Sequence, residues 1–140
     1  MLTHHLINTI WVFLLCIILT AALFFHAPCP LCLMQRLSMV GIAHSALLNL
    51  KFGTKPRHYG FALLFALLGH YIGIHLAPGK QTLLGLTLPT WSSFVFLGSL
   101  LTATLLLIFY RDERPLFGKV EKTAYGCLLV ITFGLIVSSI

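Results

Sequence analysis

Acidic residues are scarce in this chain. Three of 140 residues are Asp or Glu, and Asp112, Glu113 and Glu121 all fall in one connector near the C-terminus. No carboxylate pair is available for general acid–base work, and no Ser-His-Asp set or phosphate-cradling glycine loop appears. Charge of either sign is low, at 9% of residues against 59% hydrophobic, with a mean hydropathy of +0.99. Such a composition excludes an ordinary soluble domain and points to a single integral membrane domain. The net charge of +6 does not mark a nucleic-acid binder. Its basic residues sit in short loops between apolar runs, with no basic face and no aromatic platform.

Five apolar runs are present, at about 6–25, 31–50, 59–77, 91–110 and 123–140. The first is read as a membrane span and not as a cleaved leader. It has no Lys or Arg before it and exceeds the roughly 7–15 residues of a signal h-region. The fifth is the shortest and has no charged flank at its far end. Outer loops are expected at 26–30 and 78–90, and cytoplasmic connectors at 51–58 and 111–122. The segment Thr82 to Leu88 is too apolar for a solvated loop and too short to span, so it is expected to lie in the interface as a short amphipathic or irregular piece. Lys51, Lys55 and Arg57 share one connector, and Arg111, Arg114, Lys119 and Lys122 share another. Only Lys80 lies in the opposite loops. That asymmetry puts both basic connectors and the N-terminus in the cytoplasm.

Four cysteines remain to be explained. Cys16 and Cys127 lie inside apolar runs, where cysteine packs as a small hydrophobe. Cys29 and Cys32 stand two residues apart at the mouth of the second run, on the oxidising side in this orientation. Pro30 fits the first position of a helix, which puts Cys29 near the N-cap and Cys32 in the first turn. A thiolate there meets unpaired backbone N–H groups and the positive end of the helix dipole, which stabilise its charge. Arg36 follows Cys32 by four residues, on the same face and one turn deeper. An arginine inside a membrane helix is a functional candidate, with snorkelling to set helix depth as its structural alternative. Gln35 beside it offers a hydrogen bond.

Several functions fit a Cys-x-x-Cys pair. Structural zinc needs four ligands, and His26, Cys29 and Cys32 supply three. Haem attachment needs His after the second cysteine, and position 33 is Leu. Redox exchange fits the helix position best, with a lipid-soluble quinone as the electron acceptor. A soft-metal carrier using His26, Cys29 and Cys32, such as one for Cu(I), and a membrane subunit with a structural disulfide remain as alternatives.

The stretch Cys29-Pro30-Leu31-Cys32-Leu33-Met34-Gln35-Arg36, opening a second span, resembles the DsbB family of bacterial disulfide-bond formation proteins. Leu84 to Trp91 resembles the family's lead into its fourth helix, and Arg111-Asp112 with Leu116-Phe117-Gly118 resembles its cytoplasmic tail. The resemblance implies an all-α integral membrane fold, a four-helix transmembrane bundle, here with a fifth C-terminal helix. It implies a multi-pass protein of the bacterial inner membrane that acts as a thiol:quinone oxidoreductase. Cys29 and Cys32 would cycle between disulfide and dithiol, with ubiquinone or menaquinone held by Cys32, Arg36, Gln35 and His75. The implied partner is a periplasmic thioredoxin-like thiol oxidase of the DsbA type, with membrane lipid around the bundle. The family's second cysteine pair, in the second outer loop, has no counterpart between residues 78 and 90.

Overall fold

The computed structural model describes residues 3–24, 30–75, 82–110 and 119–138. It is an all-α bundle: α1 (Thr3–Phe24), α2 (Pro30–Phe52), α3 (Pro56–His75), a two-stranded hairpin of β1 (Thr82–Leu83) and β2 (Leu86–Thr87), then α4 (Leu88–Ile108) and α5 (Lys119–Ser138). Each apolar run becomes a helix, because hydrocarbon offers no partner to backbone N–H and C=O groups and a helix satisfies them internally. Hydroxyls inside the helices follow the same rule. Ser38, Ser45, Ser99 and Thr102 each donate to the carbonyl four residues back, at 2.8–3.1 Å.

The helices run alternately up and down. α2 packs on α1 and α3, α3 packs on α4, and α5 lies against α1 and α2. One continuous core threads the bundle, with Leu15 and Leu19 of α1, Ile42 and Leu47 of α2, Ala66 of α3, Phe96 of α4, and Leu128 and Ile131 of α5. Phe96 is fully buried because Gly69 of α3 leaves room for its ring; a Cβ at Gly69 would collide with it. Gly41 of α2 makes the same kind of notch for Phe65, with a Cβ landing 2.6 Å from the ring. Small residues on α2 and α3 let the neighbours approach, as membrane helix packing requires.

One end of the bundle is closed by a polar network. Asn49 Oδ1 accepts the backbone N–H of Lys55 at 3.2 Å and the Nδ1–H of His58 at 3.0 Å, which folds the α2–α3 turn back on α2. The Tyr110 hydroxyl, just past α4, donates to the Thr54 carbonyl at 3.2 Å. Asn8 Nδ2 of α1 donates to the Tyr59 hydroxyl of α3 at 3.2 Å. At the same end α5 docks through Tyr125, whose ring lies 5.8 Å from that of His44 and 5.6 Å from Lys51 Nζ.

Among the described residues, three helices contain stretches long and apolar enough to cross a membrane: His4–Ala21, Pro30–Phe52 and Thr90–Ile108. α3 falls short in composition because Arg57, His58, Tyr59, His70, Tyr71 and His75 dilute its apolar residues, and the apolar part of α5 is the shorter Tyr125–Gly134. Expectations at element edges change. Residues 51–52, 56–58, 88–90 and 119–122 are helical, where connectors were expected. The segment after residue 81 is a hairpin, not an irregular interfacial piece. Thr82 pairs with Thr87 and Leu83 with Leu86, leaving a two-residue loop. Such a loop takes positive φ at both positions. Gly85 supplies one freely at 82°, but Leu84 is forced to 53°, where its Cβ meets the following carbonyl.

Two outcomes follow from this packing. Gly69→Ala should lower stability by ~1–3 kcal/mol through overpacking against Phe96. Gly60→Ala on the same helix, which meets nothing within 4 Å, should raise it by up to ~1 kcal/mol. Unfolding of the micelle-bound protein would measure both. His58 lies just before the third apolar run. Burial, then the Arg57 and Lys55 charges, hold its imidazole below the ordinary histidine range. The folded state therefore takes up its proton less readily than the unfolded chain. His58 thus contributes its full stability above the unfolded pKa of about 6.5. That contribution falls as pH drops below this value and levels off once pH is under the folded pKa. His58→Gln should flatten this segment of the stability–pH curve.

Candidate dithiol site

Pro30 is the first residue of α2, as its missing N–H and fixed φ favour. Cys32 therefore sits in the first helical turn and is half-buried. Gln35 and Arg36 follow by three and four residues, so all three side chains share one patch of α2. Gln35 is buried at 7% exposure, and Arg36 is half-buried beside it. Cys29, the other expected member of the pair, lies outside the described residues, as does His26.

The sequence expectation treated Gln35 as a hydrogen-bond donor to a ligand. In the structure its Nε2 donates to the hydroxyl of Ser92 in the second turn of α4. That bond joins the start of α2 to the start of α4 across the bundle, and it places the hairpin end of α4 beside the dithiol end of α2. Ser92 was missed from sequence. The available signal was a Ser-Ser pair opening an otherwise apolar run, directly after Trp91.

His75 is the last residue of α3 and is exposed, with its ring edge-on to Tyr71 at a centroid distance of 4.4 Å. Because α3 runs antiparallel to α2, His75 is at the same end of the bundle as Cys32. Trp91 is partly exposed there as well. Away from this end, Cys16 is buried in the core as a small hydrophobe, while Cys127 is on the outer surface of α5. The buried Nδ1 of His70 has no hydrogen-bond partner among the described residues. Among the described residues, no three His, Cys, Asp or Glu side chains converge to hold a metal ion.

The family model "Disulfide bond formation protein DsbB" matches residues 3–78, just over half of the chain. The chain belongs to the DsbB family. The match takes in α1, α2 with the Cys29–Cys32 motif, and α3; α4 and α5 lie beyond it. No curated protein and no solved structure matches the chain. Membership makes this DsbB-family chain a multi-pass membrane protein of disulfide-bond formation and, in general terms, a disulfide oxidoreductase.

The Gln35–Ser92 bond has a measurable signature. Ser92→Ala leaves the buried Gln35 amide without that acceptor and should lower stability by ~1–3 kcal/mol. Gln35→Leu in the same background should recover part of the loss. A double-mutant cycle in micelles would show the coupling directly.

Proposed function

We propose that the protein is a thiol:quinone oxidoreductase of the bacterial inner membrane, passing electrons from thiols outside the cytoplasm through Cys29 and Cys32 to ubiquinone or menaquinone. The supporting observation is the placement of Cys32 in the first turn of α2, one turn above half-buried Arg36, within the stretch that matches the DsbB family.

In this reading the N-terminus and the polar-network end face the cytoplasm, following the Lys and Arg bias of the connectors. α3 and α5 cross the bilayer with the three more apolar helices; the side-chain polarity of α3 is turned partly inward, with His58 and Tyr59 buried. The dithiol end then faces the periplasm. The chain has no second cysteine pair in the 78–90 connector, so the partner, a thioredoxin-like oxidase, delivers its electrons to Cys29 directly.

The residues fit a quinone at this end. Cys32 and Arg36 are half-buried on one flank of α2, at the boundary between core and surroundings. A partner thiolate attacks Cys29 Sγ, and Cys32 Sγ leaves with the bonding pair. The α2 N-terminus and Arg36 hold that thiolate. Quinone supplies the acceptor for two electrons and two protons. Arg36 stabilises negative charge at that acceptor in surroundings of low dielectric constant. Gln35, fixed by Ser92, and His75 at the end of α3 border the same site. After a second partner thiolate resolves the mixed disulfide, Cys29 and Cys32 stand as a dithiol; its two electrons pass on and the disulfide reforms.

Purified, quinone-loaded protein mixed anaerobically with a reduced thioredoxin-like oxidase tests this reading through quinone absorbance. Cys29→Ser and Cys32→Ser should each abolish turnover. Arg36→Ala should raise the apparent quinone KM tenfold or more, equivalent to about 1.4 kcal/mol of lost binding. An unchanged KM would remove Arg36 from the site, and turnover without either cysteine would refute the function.

A further inference from the structure

The chain has two asparagines, Asn8 and Asn49, and both line the same small cavity. It lies between α1, α2, α3 and α4, toward the polar-network end, and has a volume of about 20 Å³. Ile42, Ala46 and Leu106 give it an apolar wall, and the Tyr59 ring borders it as well. Asn8 is 3% exposed and Asn49 1%.

Each amide is half used. The backbone N–H of Lys55 can only donate, so the Asn49 atom that receives it is the oxygen. His58 Nδ1 bonds that same oxygen. The Asn49 Nδ2 group therefore faces the other way, with no partner among the described residues. Asn8 spends its Nδ2 on the Tyr59 hydroxyl, which leaves its Oδ1 in the same condition. A donor on α2 and an acceptor on α1 thus border one space, and an unpaired buried amide group is unfavourable.

We propose that this cavity is a binding site for a single water molecule that bridges α1 and α2. The water accepts from Asn49 Nδ2 and donates to Asn8 Oδ1, with the Tyr59 hydroxyl as a third contact. A space of ~10–15 Å³ on this measure holds one water, provided two to four polar groups face it. A cation is excluded by the wall, which has no carboxylate, and by the positive charges of Lys55 and Arg57 on the adjoining turn. The site is remote from the dithiol and does not depend on the redox reading.

Because the chain has no other asparagine, ¹⁵N-asparagine labelling of the full-length protein in deuterated micelles yields two side-chain NH₂ groups only. Cross-relaxation from a long-lived water is expected at both Asn8 and Asn49. Ala46→Val fills the cavity and should abolish both water signals while the two amide resonances persist; Ala62→Val, on the facing wall, serves if that variant does not fold. Absence of a water signal at either amide in the unaltered protein would overturn the proposal. So would water signals at both amides that survive filling of the cavity.

Discussion

Hydrocarbon gives a polar group nothing to bond, and the helices and cross-helix links of this bundle answer that constraint. The backbone is satisfied by helices, and the hydroxyls inside the helices fold back on their own carbonyls. The amides cannot satisfy themselves locally, so they become the joints. Asn49 holds the α2–α3 turn, Asn8 ties α1 to α3, and Gln35 ties α2 to α4. Without these three side chains the helices would still be apolar rods, but little would fix their depth or rotation against one another, because lipid tails are as apolar as the packing faces.

The joints stand at both ends of the bundle. Three links gather at the end with the basic connectors, where Asn49, His58, Tyr59, Tyr110 and Asn8 converge. α5 is docked at that end too, through Tyr125. At the dithiol end Gln35 and Ser92 join α2 to α4. An oxidoreductase of this family exchanges covalent bonds with a protein partner, and in the proposed reading Cys29 and Cys32 carry that exchange. Arg36, one turn down from Cys32, adds a charge whose desolvation is tolerable only because it stands at the flank of α2 and not in the core.

The helices were legible in the sequence because length and hydropathy are local properties. All five apolar runs became helices, and Pro30 marked the start of α2 to the residue. The hairpin was not legible. Its turn contains Gly85, a proper signal, but the partner position is Leu84, which no propensity argument would place at positive φ. Edge errors at residues 51–52, 56–58, 88–90 and 119–122 arose where helix extends beyond the apolar run into polar or proline-containing sequence. At the site, Cys32 and Arg36 fell on one flank of α2 as their spacing required. Gln35 was identified as a hydrogen-bonding residue, but its partner was not. A lone amide in an apolar run announces that some partner exists, and only the fold, which brings the start of α4 beside the start of α2, names Ser92. The same holds for Asn8 and Tyr59, which are 51 residues apart.

Two amides pin α2 at two points. Gln35 and Asn49 lie fourteen residues apart, about 21 Å along the helix axis. A rod fastened twice along its length can neither slide nor roll without breaking one fastening. The depth of Cys32, three residues before the first of them, is thereby set by the body of the bundle and not by the connector that precedes it.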